Sequence, residues 1–102
     1  MYKTTFTFAL DNSAIATRST YTHYMGKAMQ AFEVPGATWT EHQGAYVMAD
    51  GTTVVEPSYS LDVITETLPD RDDVKAFANY IKEQENQESV MVELTTPVVE
   101  FI

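Results

Sequence analysis

From Tyr2 to Leu10 the side chains alternate, with Tyr2, Thr4, Phe6 and Phe8 on one side and Lys3, Thr5 and Thr7 on the other. That period of two, rich in aromatic and β-branched residues, predicts a first strand. Asp11-Asn12-Ser13 marks a turn, and from about Arg18 the apolar positions Tyr21, Tyr24, Met25, Ala28, Met29 and Phe32 recur at three and four residues. This spacing predicts an amphipathic helix that ends before Pro35-Gly36. The run Ala37 to Met48 is interrupted at His42-Gln43-Gly44, which predicts either a bulged strand or two short ones. Asp50-Gly51 then closes a hairpin, because such a pair supplies the positive φ angles of a tight type I′ turn.

After that turn, Thr52 to Val55 leads through Glu56-Pro57-Ser58 into Tyr59 to Glu66, where Tyr59, Leu61 and Val63 alternate with Ser60, Asp62 and Ile64. Proline donates no ladder hydrogen bond, so Pro57 requires a bulge or an edge in the middle of this long strand. Leu68-Pro69-Asp70 opens a second helix, with Asp70, Asp72 and Asp73 at its positive end and Val74, Phe77, Ala78 and Ile81 as its apolar stripe. The polar stretch Lys82 to Glu88 ends it. Ser89 to Leu94 alternates again, Thr95-Thr96-Pro97 interrupts, and Val98 to Ile102 reads as a last short strand.

The order β, α, β-hairpin, α, β, β is read as the split βαβ arrangement: α+β, a ferredoxin-like βαββαβ antiparallel sheet with two helices on one face. The other sheet face is expected to carry Thr5, Thr7, Trp39, Tyr46 and Tyr59, aromatic rather than charged, and to be buried by assembly into a homo-oligomer. At 102 residues and 44% hydrophobic, the chain is long enough for one core, so residues 1–102 are expected to form a single domain.

Charge and residue usage narrow the function. Six Lys and Arg against fifteen Asp and Glu give a formal charge of −9, which repels phosphate backbones and anionic lipid. A cationic ligand or a basic protein partner fits better than nucleic acid, and the same charge also serves solubility. There are no cysteines, so disulfides and thiolate metal sites are out, and a bacterial host cytosol is the expected setting. The N-terminal residues begin a strand pattern rather than a basic, then apolar, leader. No uninterrupted apolar run approaches the roughly 18 residues of a membrane span.

Self-sufficient catalytic motifs are missing: there is no phosphate-binding glycine loop, no nucleophile elbow, and the two histidines, His23 and His42, lack a metal-ligand spacing. No metal or cofactor is expected, and His23 reads as a helix-surface residue. Polar groups at strand positions stand out instead: Tyr46, Glu56, Ser58, Gln87 and Glu88. Glu56, directly before a proline inside a β-run, is either an edge charge that blocks aggregation or a functional carboxylate. Tyr46 is either a half-buried sheet aromatic or a ligand group, and Gln87-Glu88-Ser89 either ends the helix or contributes to a site.

Pro35-Gly36, Gly44-Ala45-Tyr46, Glu56-Pro57-Ser58 and Asn86-Gln87-Glu88-Ser89-Val90-Met91-Val92 together form a pattern, spread over roughly residues 20–95, that resembles the small phage S-adenosylmethionine (SAM) lyases, long called hydrolases. The Glu-Pro-Ser and Gln-Glu-Ser-Val words are similar also to a family of small bacterial proteins of like length. The lyase resemblance implies a ferredoxin-like, PII-like core assembled as a trimer. It matches Tyr46 to the family's active-site tyrosine and Glu56 to its essential glutamate, with Glu88 as a second acidic contact; Ser58 and Gln87 join Glu88 as candidate substrate-binding residues from their polar character at strand positions. The family's pair is about one residue further apart than Tyr46 and Glu56, a difference that a bulge in the hairpin would absorb. The chemistry it implies needs little machinery, because SAM carries its own sulfonium leaving group and its own carboxylate nucleophile. An enzyme that orients the two gains rate from positioning alone, a contribution of roughly 7–11 kcal/mol.

Two other classes stay open: a phage-encoded inhibitor that meets a host defence protein with an acidic surface, and a PII-like sensor that binds a nucleotide between subunits without turnover. The first predicts a broad carboxylate face, and here the acidic residues gather around one helix, at Asp70 to Asp73 and Glu83 to Glu88.

Overall fold

A computed structural model describes all 102 residues. Its elements run β1 (Tyr2–Phe8), a 3-10 turn (Asp11–Ser13), α1 (Arg18–Phe32), β2 (Thr38–Val47), β3 (Thr53–Thr65), α2 (Arg71–Glu85) and β4 (Met91–Thr95). The four strands form one sheet in the order β2-β3-β1-β4, every neighbouring pair antiparallel. This is the α+β, ferredoxin-like arrangement that the element order predicts.

Each helix is closed by its own sequence. Thr17 caps α1 by accepting from the Thr20 backbone N–H while the Thr20 hydroxyl accepts from the Thr17 N–H, a reciprocal capping box. Asp70 caps α2 by accepting from the N–H groups of Asp72 and Asp73. At the other ends Glu33 and Asn86 take left-handed backbone, and their N–H groups return to the carbonyls of Met29 and Lys82.

Register decides which side of the sheet is the core. Phe6 pairs with Leu61, Phe8 with Tyr59 and Thr4 with Val63, so one face of β1 and β3 presents a continuous buried row. Tyr24 and Ala28 of α1 and Phe77 and Ile81 of α2 close over it. Phe6 lies 4.9 Å from Phe77 and 5.9 Å from Phe32, ring centre to ring centre, and so ties both helices to the middle of the sheet. A second aromatic group, Phe8, Tyr24, Trp39 and Tyr59, fills the end nearer the hairpin, with Trp39 stacked 5.2 Å from Tyr59.

Four expectations need correction. Trp39 and Tyr59 belong to this core and not to the open face, which carries Thr5, Thr7, His42, Ser60 and Asp62 instead and is polar. Thr5 donates to Asp62 at 2.6 Å, and Ser60 hydrogen-bonds to both Thr7 (3.0 Å) and His42 (2.8 Å). The bulge expected at His42 to Gly44 is absent, since β2 and β3 pair residue for residue from Thr38↔Asp62 to Val47↔Thr53. The hairpin turn at Asp50-Gly51 is not type I′: only Gly51 has positive φ (86°), and the Met48 carbonyl accepts from the Gly51 N–H. Two positive φ values in succession are therefore not needed, and the Asp50 carboxylate, accepting from the Thr52 N–H, is held below its ordinary range by that bond. Finally, Val98 to Ile102 forms no strand; it follows β4 without a ladder partner, leaving Val98, Phe101 and Ile102 exposed.

Pro57 is accommodated as an edge. Because β1 ends at the Phe8↔Tyr59 pair, Thr53–Ser58 of β3 pair with β2 alone, and the missing proline donor leaves no central ladder broken. The same overhang makes the molecule long, 46 × 27 × 26 Å, with the hairpin projecting past the core.

Candidate functional site

The projecting hairpin carries three of the five singled-out residues. Tyr59, Leu61 and Val63 face the helices, so strict alternation along β3 puts Ser58 and Glu56 on the opposite face. On β2 the partners of Ser58 and Glu56 are His42 and Gly44, and Tyr46 follows on the same side. Tyr46, Glu56 and Ser58 are therefore neighbours on one surface, with Glu56 diagonal to Tyr46; such diagonal positions sit roughly 7–8 Å apart, within reach of one small ligand. Tyr46 is half exposed, and Glu56 and Ser58 are half-buried.

Gly44 gives the surface its shape. It lies directly opposite Glu56, and a Cβ built there would stand 3.6 Å from the Glu56 carbonyl oxygen and 3.7 Å from Ser58 Oγ. The absence of a side chain thus leaves room between Tyr46 and His42, floored by backbone and bordered by a carboxylate and a hydroxyl.

Gln87 and Glu88 stand differently. Asn86 ends α2, and the Gln87 side chain then turns back to donate to the carbonyls of Leu10 (3.4 Å) and Glu85 (3.0 Å). It is spent on holding the chain that follows β1. Glu88 is exposed in the connection to β4. The structure thus brings together Tyr46, Glu56 and Ser58, links Gln87 to them only through the β1–α1 loop, and leaves Glu88 at the surface.

Sequence reasoning passed over three side chains. The Ser13 hydroxyl donates to Glu56 Oε2 at 2.8 Å, reaching it from the loop that runs past the free edge of β3. Tyr59, a core residue, puts its hydroxyl on the same loop and accepts from the Ala16 N–H at 2.8 Å. Glu85 receives the Asp11 N–H at 3.1 Å through one oxygen and the Tyr24 hydroxyl through the other. Burial, reinforced by the adjoining Glu85 carboxylate, pushes the Tyr24 phenol well above its ordinary range. The signal available in sequence was Asp11-Asn12-Ser13, a trio that favours turns, but nothing in it names a carboxylate 43 residues away. His23, for its part, meets the Tyr80 hydroxyl at 2.6 Å on the helix surface, away from the hairpin.

Set against known proteins, the chain matches no protein-family model and no curated protein. Solved structures do share its fold. A phage SAM lyase in its apo state superposes with a TM-score of 0.66 at 19% identity, over 92% of this chain and 78% of that one. A phage SAM lyase in complex with S-methyl-5′-thioadenosine gives 0.63 at 20% identity, over 92% and 79%. CutA from Synechococcus elongatus gives 0.61 at 14% identity, over 95% and 77%. The chain thus has the ferredoxin-like fold of the phage SAM lyases and of CutA, and no helix in it is long and apolar enough to cross a membrane.

Proposed function

We propose that this protein is a SAM lyase, or a lyase of a closely related sulfonium nucleotide, used by a phage against host defence. The observation that carries the reading is the grouping of Tyr46, Glu56 and Ser58 around the side-chain-free Gly44, on a hairpin of the fold shared with the phage SAM lyases. In the reaction, a carboxylate oxygen of the methionyl group attacks its own γ-carbon as the bond from that carbon to sulfur breaks. The electron pair goes to sulfur, the sulfonium charge is lost, and homoserine lactone and 5′-methylthioadenosine are released. No external base, metal or cofactor enters the balance. The protein's part is to fold the flexible chain so that nucleophile and carbon meet in line, where orientation supplies roughly 7–11 kcal/mol.

Glu56 takes the ribose hydroxyls or the substrate's positive end, and Tyr46 steadies the methionyl group through its hydroxyl. Ser58, beside Glu56, completes the binding surface, while Gln87 serves it only by holding the loop that follows β1. The formal charge of −9 adds a mild attraction for a cationic substrate.

The working unit in this proposal is a homo-oligomer, a trimer by analogy with the family, in the host cytosol. Both sheet edges, β2 and β4, are free in the single chain, and Met91, Val92, Leu94, Val98 and Phe101 expose apolar side chains on β4 and the tail. Light scattering on a sizing column is expected to return three times the chain mass; a monomer at micromolar concentration would remove the assembly from the proposal.

The activity is tested by incubating the purified protein with SAM and separating the products. Paired appearance of 5′-methylthioadenosine and homoserine lactone is the expected result. Binding of SAM without any product would make the protein a sensor, and neither binding nor product would end the small-molecule reading.

A further inference from the structure

The loop from Leu10 to Thr17 is held more firmly than a connection between a strand and a helix needs to be. Asn12 and Ser13, neither of them glycine, both take left-handed backbone with φ of 56° and 53°. Asparagine visits this region readily, but serine has no such ease, so the left-handed Ser13, which closes no long helix, is the residue whose surroundings must hold it. Here the surroundings are visible. Leu10 is buried in the core, the Asp11 N–H is taken by Glu85, the Leu10 carbonyl by Gln87, and the Ala16 N–H by the Tyr59 hydroxyl. Glu85 is itself gripped by the buried Tyr24 hydroxyl, so α1, α2 and β3 all contribute to the loop's position.

What this arrangement delivers is one contact on the hairpin: the Ser13 hydroxyl on Glu56 Oε2 at 2.8 Å. Glu56 lies in the overhanging part of β3, where neither helix packs against it and no ladder from β1 steadies the strand. Left alone, a glutamate there would sample several rotamers.

We propose that Ser13 is a positioning residue for Glu56, fixing the carboxylate through Oε2 and leaving Oε1 to accept from a hydroxyl of a nucleoside-type ligand. This rests on the reading of Glu56 as the carboxylate that holds the substrate. The left-handed backbone at Ser13 then has a purpose, because it aims a serine from the far side of a turn at a strand that β1 no longer reaches. Glu85 and Tyr59, which accept from the loop's backbone, set where the loop stands.

The variant Ser13→Gly separates a positioning role from a structural one. Glycine removes the donor and at the same time relieves the left-handed backbone, so thermal stability is expected to hold or rise. In the lyase assay kcat/KM is expected to fall roughly tenfold or more, because Glu56 no longer presents one orientation to the substrate. A loss of stability together with activity, or turnover equal to wild type, would overturn the inference. The second readout needs no substrate: the side-chain carboxyl ¹³C resonance of Glu56, followed by NMR at neutral pH, is expected to move in Ser13→Gly. Should the wild-type protein leave SAM intact, the lyase reading fails, yet this resonance still decides the present point. If it is unmoved, Ser13 does not hold Glu56.

Discussion

Replacing Glu56 with Gln is expected to slow the formation of 5′-methylthioadenosine on the order of 10²-fold or more while leaving the fold and melting temperature close to wild type. The two side chains are nearly the same size, and Glu56 is only half-buried, so no cavity or stranded charge results. The Ser13 hydroxyl keeps an acceptor in the amide oxygen. What is lost is the negative charge and one of two acceptor oxygens, the features that let a carboxylate grip a pair of vicinal hydroxyls or a cationic chain. In a reaction driven by orientation, a misplacement of about 1 Å costs on the order of 10² in rate. The measurement is initial velocity against SAM concentration for both proteins, with circular dichroism to confirm folding. Wild-type rates in the variant would move the essential acidic group off Glu56, and with it the whole assignment of the hairpin as the site.

The largest stability effect is expected at Phe6. Its ring is fully buried and meets Phe32 and Phe77, so that one side chain joins β1 to both helices. Phe6→Ala removes the ring from a site whose neighbours are themselves locked in place, and truncations of this kind cost about 3–5 kcal/mol. For a chain of this size that amounts to a drop of roughly 12 °C or more in melting temperature. Since whole domains are stable by only about 5–15 kcal/mol, the variant should sit near the limit of folding. Urea denaturation at matched protein concentration reads the effect, and a cost below about 1 kcal/mol would mean that the aromatic triangle is not the centre of the core.

These two residues differ in how plainly the sequence announces them. Phe6 sits in the middle of an alternating run and could hardly be anything but inward-facing. Glu56 was noticed for being out of place, a carboxylate before a proline in a β-run, but its neighbours were not predictable in the same way. The sheet face is the clearest case. Trp39 and Tyr46 have opposite parity on β2, and an expected bulge at His42 to Gly44 would have put them on the same side. The ladder runs through without a bulge, so Trp39 turns into the core and Tyr46 turns out. Parity within a strand is local, but which parity faces inward depends on the partner strand, and a single inserted residue reverses it.

The bulge expected to absorb the one-residue difference that the lyase resemblance implied is absent from the ladder. Tyr46 and Glu56 lie on one face through a bulge-free register and a loop in which only Gly51 needs positive φ. The tail was misjudged for another reason. Val98 to Ile102 has the composition of a strand, but composition supplies no partner: the segment pairs with no strand, although the outer edge of β4 is open.

The sequence by itself determined the elements and their order, because these follow from local periods, helix caps and turn residues: alternation in β1 and β3, Thr17 and Asp70 at the helix starts, Asn86 at a helix end. Those features act over a few residues and can be read within them. The tertiary structure alone decided which face of the sheet is polar, that Gly44 stands opposite Glu56, that Ser13 meets Glu56 and that Glu85 meets the Asp11 backbone. Each of these is a contact between segments far apart in the chain, 43 residues for Ser13 and Glu56 and 74 for Asp11 and Glu85. Such pairs are set by register and packing, which no local pattern encodes.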